Sequence, residues 1–313
     1  MGSEMKIKSV VVIGIIASAF SQPALAQKKP GSGSTIPTEV LQPWMSPEVG
    51  EAWNAGFKGQ GVTIMVVDDF KSRSFLSGSL TGASERLRHG EWTLKEANMI
   101  APSATMRSQD FNSGVTVPLN PGLNVLNLSY GMMAATGYSS VGWKAQETSI
   151  INYARSGTAI ISKAAGNDST STVKVAVGSP NPSGQLDYLN RDLIGSQSAI
   201  FVGALSSNGK PTALASMASY SNIAGSNTTV QNQFLVVGVE GSKTNLYGTS
   251  FAAPIVSGYA AILGSKFKDA TPTKIVNQLL ATARTDTIAG YNAAIHGKGE
   301  ASITRALAPV SIQ

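Results

Sequence analysis

Cysteine is absent from this chain of 313 residues. Its absence excludes disulfide bonds, so core packing alone must stabilise the fold. Charge is also scarce, because only 13% of the residues are charged. The Lys and Arg residues that give the net charge of +6 are scattered, without a basic run or an aromatic ladder beside them, so we expect no nucleic-acid partner. Hydrophobic residues make up 42% of the chain, enough for one domain of catalytic size.

The first 26 residues have the order that is typical of a secretory signal peptide. Lys6 and Lys8 precede the apolar run VVVIGIIASAF, and an A-x-A cleavage motif ends at Ala26. The run is too short for a comfortable membrane span, although an uncleaved anchor is the alternative. We therefore expect cleavage after Ala26, no stable membrane span in the mature chain, and a secreted or periplasmic bacterial protein.

Two further segments follow the signal sequence. Residues 27–43 are polar and broken by Pro and Gly, which predicts a flexible leader before a folded domain at 44–313. In that domain, continuous apolar runs alternate with helical patterns, as in a parallel sheet covered on both faces. The sequence predicts an α/β fold with a doubly wound, mostly parallel sheet flanked by helices. The predicted strands are 62–67, 124–129, 158–165, 199–205 and 234–239, and the predicted helices lie near 142–156, 249–267 and 272–283.

Polar residues follow the first three of these predicted strands. Asp68 ends the first run, Ser129 begins a Ser-Tyr-Gly segment at the end of the second, and Gly166-Asn167 follows the third. In open α/β sheets, ligands and chemistry gather outside the carboxyl ends of the strands. An isolated Asp in such a place is commonly a helix cap or a turn former, so Asp68 alone does not define a site.

The chain has only two histidines, so a catalytic base has few candidates. His89 precedes a helical pattern and could receive an orienting hydrogen bond from Asp68 if both face the same strand ends. His296 lies in a Gly-rich turn near the C-terminus, where we expect a surface residue. Glu91 either acts electrostatically on the base or is a solvated acid at the start of its helix.

The stretch GTSFAAPIVSG at 248–258 opens a helix in an unusual way. Ser250 would stand in the first turn, where backbone N–H groups lack partners and can stabilise an oxyanion. Gly248 lets another backbone approach closely, and Pro254 is tolerated because it lies within the first turn. The alternative is that Thr249 or Ser250 merely caps a buried helix.

The motifs VVDD, HG, NLSYG, AAGND and GTSFAAPIVSG occur in this order, and together they resemble the subtilisin-like serine proteases from about Trp44 onwards. The resemblance implies a serine endopeptidase that acts through an acyl-enzyme intermediate on a protein or peptide substrate, and we expect a monomer. It makes Ser250 the nucleophile, His89 the general base and Asp68 its orienting carboxylate, with Asn167 and the Ser250 N–H stabilising the oxyanion. The pocket for the side chain before the scissile bond would have the walls Ser129, Tyr130, Gly131, Ala164, Ala165 and Gly166.

A closer similarity is to the secreted protease passengers of Gram-negative autotransporters, seen in the segment from 181 to 205 and in the closing residues. In those proteins a membrane β-barrel normally follows, whereas here the sequence stops at Gln313, so we expect export as a free protein or through other machinery. The short segments around His89 lack loops that often hold calcium, and no Asp/Asn cluster has ligand spacing. Structural calcium is therefore possible but unassigned, and the chemistry that the resemblance implies is expected to require no cofactor.

Other enzyme classes fit the sequence less well. There is no G-x-S-x-G elbow for an esterase, no H-E-x-x-H for zinc, and no phosphate-binding loop. The main alternative is not an enzyme: a catalytically impaired chain of the same fold could serve as an adhesin or toxin-like binding module. Retention of all four chemical residues favours the peptidase.

Overall fold

The computed structural model describes Glu4–Lys6, Val11–Val12 and residues 39–312. The strands in chain order are β1 Glu4–Lys6, β2 Val11–Val12, β3 Val62–Asp68, β4 Leu76–Gly78, β5 Glu85–Leu87, β6 Thr105–Asp110, β7 Leu123–Leu128, β8 Gly131–Ala135, β9 Ser140–Gly142, β10 Ile160–Ala164, β11 Gln185–Asp187, β12 Ala199–Leu205 and β13 Phe234–Gly238. The helices are α1 Pro47–Asn54, α2 His89–Ile100, α3 Ala145–Ser156, α4 Tyr188–Leu193, α5 Thr228–Asn232, α6 Gly241–Thr244, α7 Ala252–Lys266, α8 Pro272–Ala281, α9 Ala293–His296 and α10 Ile303–Leu307, with a 3₁₀ turn at Thr249–Phe251.

The main sheet has six strands in the order β13-β12-β10-β7-β3-β6, and every neighbouring pair is parallel. The predicted parallel α/β sheet is therefore confirmed. Five of the six strands coincide with the predicted apolar runs to within two residues at each end. The sixth, β6, was not predicted, because it is an edge strand with mostly polar residues and little burial.

Alternate residues of the central strands enter two separate cores. On one face, Ile64 and Val66 of β3 join a cluster with α2, α7 and α8. On the other face, Met65 and Val67 join a cluster with α3 and α4. Since both faces are covered, each strand must be apolar throughout, which explains the continuous runs in the sequence.

Helix α7 runs through the first of these cores. Every residue from Ala252 to Ser265 is buried, and the helix packs against five strands of the sheet. Glycines make this possible: a Cβ on Gly258 would lie 2.3 Å from Cγ2 of Ile100 in α2. The close packing brings the first turn of α7 to the carboxyl edge of the sheet.

The signal-peptide and leader interpretations fall largely outside the described residues. Within the described part, β1 pairs with β9, and β2 pairs antiparallel with β8, which places Val12 opposite Gly131. Trp44, where the folded domain was expected to begin, is buried, and its Nε1 donates to the Leu80 carbonyl at 2.8 Å. No helix of the described part is long and apolar enough to span a membrane.

Candidate active site

The carboxyl ends of three neighbouring strands, β3, β7 and β10, bring the predicted residues together. Asp68 is the last residue of β3, Ser129 follows β7, and Asn167 follows β10 by three positions. Helix α2 begins with His89 beside the end of β3, and the 3₁₀ turn that carries Ser250 leads into α7. All of the site therefore lies at one edge of the sheet.

Asp68 and His89 form a buried pair. Asp68 Oδ1 lies 2.6 Å from His89 Nδ1, and the side chains are 0% and 4% exposed. The carboxylate also accepts from the Asp69 N–H at 2.6 Å and from Thr93 Oγ1 at 3.0 Å. A carboxylate held in this way favours the Nδ1–H tautomer of histidine, which leaves Nε2 as a proton acceptor.

Gly90 allows His89 to reach Asp68. Its N–H donates to the Asp69 carbonyl at 3.0 Å, and an added Cβ would lie 2.7 Å from that same oxygen. The first turn of α2 is thus docked directly on the end of β3. Glu91 accepts from the Arg88 backbone N–H at 2.7 Å and from its guanidinium at 3.1 Å, so it closes a helix N-terminus.

Ser250 lies in the 3₁₀ turn before α7 and is buried. Its hydroxyl donates to the Ser129 carbonyl at 3.2 Å, and the ring of the next residue, Phe251, lies 5.6 Å from the His89 ring. The Ser129 hydroxyl in turn donates to the Ser250 carbonyl at 2.8 Å and accepts from Asn127 Nδ2 at 3.0 Å. These bonds tie the serine turn to the end of β7.

Asn167 is oriented by Thr249. Asn167 Oδ1 accepts from the Thr249 N–H at 2.8 Å and from Thr249 Oγ1 at 3.0 Å, which turns Nδ2 away from Thr249. Gly248 has φ +125°, and a Cβ there would lie 3.1 Å from Asn167 Nδ2. An amide nitrogen and the free N–H groups of a helix start are the donors that an oxyanion needs.

The six predicted wall residues line one cavity of about 60 Å³ beside Ser250. Asn167 and Ser250, which were also assigned from the sequence, line it as well, whereas five further lining residues were not assigned. Of these five, Lys163 could have been noticed in the sequence, because it is a charged residue within an otherwise apolar strand. The additional lining residues are Met133, Lys163, Asp168, Asp187 and Thr249, together with the already assigned Asn167 and Ser250.

Tyr130 is a buried residue in one wall of this cavity. Its side chain is buried and its ring stacks on Phe111, with ring centroids 5.8 Å apart. Burial raises the pKa of Tyr130 well above its ordinary value, and the nearby Glu147 adds to the rise. The phenol therefore stays neutral and acts as a packing element under the substrate wall.

The expectation that His296 lies at the surface is wrong. The residue is only 3% exposed, its Nδ1 accepts from the Asn292 N–H at 3.1 Å, and its ring stacks on Tyr291. Burial lowers the pKa of His296. Gly297 directly follows with φ +57°, a left-handed backbone conformation that favours glycine.

Metal binding was left unassigned from the sequence. Among the described residues, no group of three or more His, Cys, Asp or Glu side chains could hold a metal ion. Asp68 and Asp69 are both occupied by hydrogen bonds to backbone N–H groups.

A sequence model of the subtilase family of serine peptidases matches residues 85–299. This range includes His89, Asn167 and Ser250, whereas Asp68 precedes it. Mycosin-5 of Mycobacterium tuberculosis is 36% identical over 92 residues, which cover 26% of this chain and 16% of mycosin-5. Mycosin-1 of Mycolicibacterium smegmatis is 54% identical over 39 residues, 12% of this chain and 9% of that protein. The matched segments are thus a small part of these curated relatives.

Solved structures share the fold over most of the chain. MycP1 from the ESX-1 type VII secretion system superposes with a TM-score of 0.53 at 21% identity, covering 83% of this chain and 84% of that chain. The prenylagaramide maturation protease PagA gives a TM-score of 0.54 at 20% identity, covering 84% and 98%. At these identities the likeness concerns the fold alone.

Proposed function

Because the chain belongs to the subtilase family of serine peptidases, we propose that it is an endopeptidase that cleaves peptide bonds through Asp68, His89 and Ser250. The observation that carries this proposal is the buried 2.6 Å contact between Asp68 and His89, placed beside the serine turn. A purely structural Asp–His pair would not require a serine in the first turn of a helix next to it.

In the proposed reaction, the Ser250 hydroxyl exchanges its bond to the Ser129 carbonyl for one to His89 Nε2. Oγ attacks the scissile carbonyl carbon while its proton passes to Nε2, and Asp68 remains ionised and holds Nδ1–H. The negative oxygen of the tetrahedral intermediate accepts from the Ser250 N–H and from Asn167 Nδ2.

The intermediate then collapses. His89 gives its proton to the leaving amine nitrogen, the C–N bond breaks, and the acyl group stays on Ser250 as an ester. Water enters and loses a proton to His89 as its oxygen attacks the ester carbon. Release of the carboxylic acid returns the proton to Ser250 Oγ and restores the free enzyme.

The catalytically impaired binding module is the competing function. Labelling of the full chain with a fluorophosphonate probe, combined with casein digestion, separates the two. We expect one label, on Ser250, and digestion that Ser250→Ala abolishes. A folded sample that takes no label and leaves casein intact, or a label on another serine, would favour the binding module.

The proposed location follows from the N-terminal sequence. The order of Lys6, Lys8, the apolar run and Ala26 supports export of a mature chain that begins at or near Gln27. N-terminal sequencing of protein from fractionated bacterial cells tests this: we expect Gln27 in periplasmic or extracellular fractions. Protein that keeps residues 1–26 and sediments with membranes would contradict it.

A further inference from the structure

Three charged side chains line the cavity beside Ser250. Lys163 comes from β10, Asp168 lies just after Asn167, and Asp187 ends β11. Charged side chains in the interior of a pocket are costly unless they are paired, so they are expected to serve recognition or specific pairing. Their individual partners show which of the charges remains available to a ligand.

The Lys163 ammonium is covered. The side chain is 1% exposed, its Nζ donates to the Ala164 carbonyl at 2.9 Å, and it lies 3.4 Å from Asp187 Oδ2. Burial lowers the pKa of Lys163, while Asp187 and Asp168 oppose this effect. The nitrogen already has a carbonyl and a carboxylate as partners, so its charge mainly offsets that of Asp187.

The Asp187 carboxylate faces the cavity with one oxygen free of backbone donors. Its Oδ1 caps α4 and accepts three backbone N–H bonds, whereas Oδ2 lies 3.4 Å from Lys163 Nζ. The side chain is 12% exposed, and an added Cβ on Gly131 would lie 2.8 Å from Oδ2. Glycine at 131 thus leaves room for this oxygen at the wall. The three donors are the N–H groups of Met132, Leu189 and Asn190, at 3.0, 3.1 and 3.2 Å.

Asp168 contributes a second carboxylate at the same cavity. Its Oδ1 accepts from Asn181 Nδ2 at 3.0 Å and its Oδ2 accepts from Asn222 Nδ2 at 2.9 Å. Neutral amides therefore fix the carboxylate without neutralising it. Each oxygen keeps a further lone pair that can accept a hydrogen bond from a ligand.

The balance of these charges is negative. One buried ammonium and two carboxylates give the cavity a formal charge of −1, and both carboxylates are more accessible than the cation. We propose that Asp168 and Asp187 select a lysine or arginine side chain immediately before the scissile bond. This inference rests on the proposed peptidase function and adds a substrate class to it. The apolar stem would lie along Met133, and its cationic end would meet the two carboxylates.

The sharpest test compares lysine with norleucine, which has a similar stem and no charge. Ser250→Ala should bind the peptide amide succinyl-Ala-Ala-Pro-Lys-NH₂ about 10- to 100-fold more tightly than the norleucine peptide, because a hydrogen bond to a charged group contributes that much. Isothermal titration calorimetry measures both affinities without catalysis. The wild type should show a similar ratio in kcat/KM on the corresponding anilides.

Substitutions in the cavity should move this ratio in opposite directions. Asp168→Asn and Asp187→Asn should each lower the preference for lysine about 10-fold or more, and Asn keeps the helix cap that Asp187 supplies. Lys163→Met keeps the stem volume and removes the competing cation, so the preference should rise. Asp286→Asn, in an exposed ion pair with Arg305, is the matched control and should leave the ratio unchanged. Melting temperatures establish that each variant is folded.

Failure of this inference differs from failure of the peptidase function. If the wild type digests casein but Ser250→Ala binds norleucine or glutamate peptides as well as lysine peptides, the selection of basic side chains is wrong. If the wild type cleaves no peptide while Ser250→Ala still prefers lysine over norleucine, the pocket stands and the reaction is wrong. If Lys163→Met lowers the preference for lysine, the assignment of the two carboxylates is wrong.

Discussion

Asn167 illustrates how a neighbouring residue sets the direction of a functional side chain. The motif AAGND identified Asn167 from the sequence, but its role depends on which end of the amide faces the serine. The Thr249 N–H and hydroxyl both donate to Oδ1, so the amide nitrogen must face the other way. A sequence pattern cannot supply that orientation, because it comes from a contact between residues 82 positions apart.

Replacement of Asn167 by alanine should therefore affect the transition state rather than substrate binding. The amide donates to an oxygen whose charge exists only after attack, so we expect kcat to fall about 10²- to 10³-fold with little change in KM. Steady-state kinetics on a peptide anilide measure both constants. Asn152→Ala, on the exposed side of α3, is the control, and a large rise in KM for Asn167→Ala would point to a structural role.

His89 and Ser250 should behave as one catalytic unit. If Ser250 passes its proton to His89, either alanine variant removes most of the rate, and the double variant should lose no more than about 10-fold beyond the worse single variant. Rates per folded molecule are needed, because His296, the comparison residue, is buried and its alanine variant will lose stability. His296→Ala should keep the rate of its folded fraction. Multiplying losses in the double variant, or loss of rate in His296→Ala, would contradict the assignment.

The charged lining of the cavity shows where residue-level prediction stops. Lys163 stands out in the run AIISKAA, yet its partner Asp187 is 24 positions away and belongs to a short strand with no apolar signature. The pairing arises because β11 pairs with β8, next to the wall segment. Recognition of the pair requires the tertiary fold.

At the scale of elements, prediction succeeded where a strand or helix is buried on all sides. The strands β3, β12 and β13 are buried at every position, and their boundaries follow directly from apolar runs. The strand β6 was missed because its burial is partial. The predicted helix at 249–267 is in fact a 3₁₀ turn at Thr249–Phe251 followed by α7, so Ser250 lies in the turn before the α-helix.

The contact of α7 with α2 depends on a glycine at the crossing point. Gly258→Ala would place a methyl group 2.3 Å from Cγ2 and 2.6 Å from Cβ of Ile100, a β-branched side chain that cannot rotate away. We expect a loss of about 1–3 kcal/mol in the free energy of unfolding, although alanine is the better helix former. Urea unfolding measures the change.

The matched double variant tests the cause of this loss. Ile100→Ala alone should destabilise by leaving a cavity, and Gly258→Ala should cost less in that background, because the methyl group then has space. A strictly additive double variant would mean that the two residues do not clash, and that α7 and α2 are spaced further apart than described.

The fold is stabilised without disulfides, so non-covalent contacts connect the start of the folded domain with its end. Helix α1 near the start of the domain packs on α10 near its end. Between them, Arg284 binds Glu48 at 2.8 Å and Glu300 at 3.1 Å, and Ser302 donates to Glu48 at 3.1 Å. The side chains of Arg284, Glu48 and Glu300 are 15%, 13% and 3% exposed, respectively. No local pattern in the sequence indicates a cluster that spans more than 230 positions.

Breaking this cluster should destabilise the entire fold. Arg284→Met leaves two carboxylates without their shared cation, and removal of one partner of a buried ion pair typically costs about 3–5 kcal/mol. Urea unfolding at neutral pH should show a loss near the lower end of that range, because Thr287 and the Gly209 N–H still bind Glu300. The exposed pair Arg305 and Asp286 provides the control, and Arg305→Met should cost no more than about 1 kcal/mol.

The pH dependence of that loss distinguishes electrostatics from packing. Burial raises the pKa of Glu300, and Thr287, the Gly209 N–H and Arg284 oppose the rise. Without Arg284 the folded pKa of Glu300 rises further. A carboxyl whose folded pKa exceeds its unfolded pKa adds stability below the unfolded pKa, and that stability is lost as pH rises through the folded pKa. The cost of Arg284→Met should therefore be greatest at about pH 8 and smaller at about pH 5, where Glu300 takes up a proton more easily. An equal cost at both values would mean that the arginine stabilises the ends through its packed stem alone.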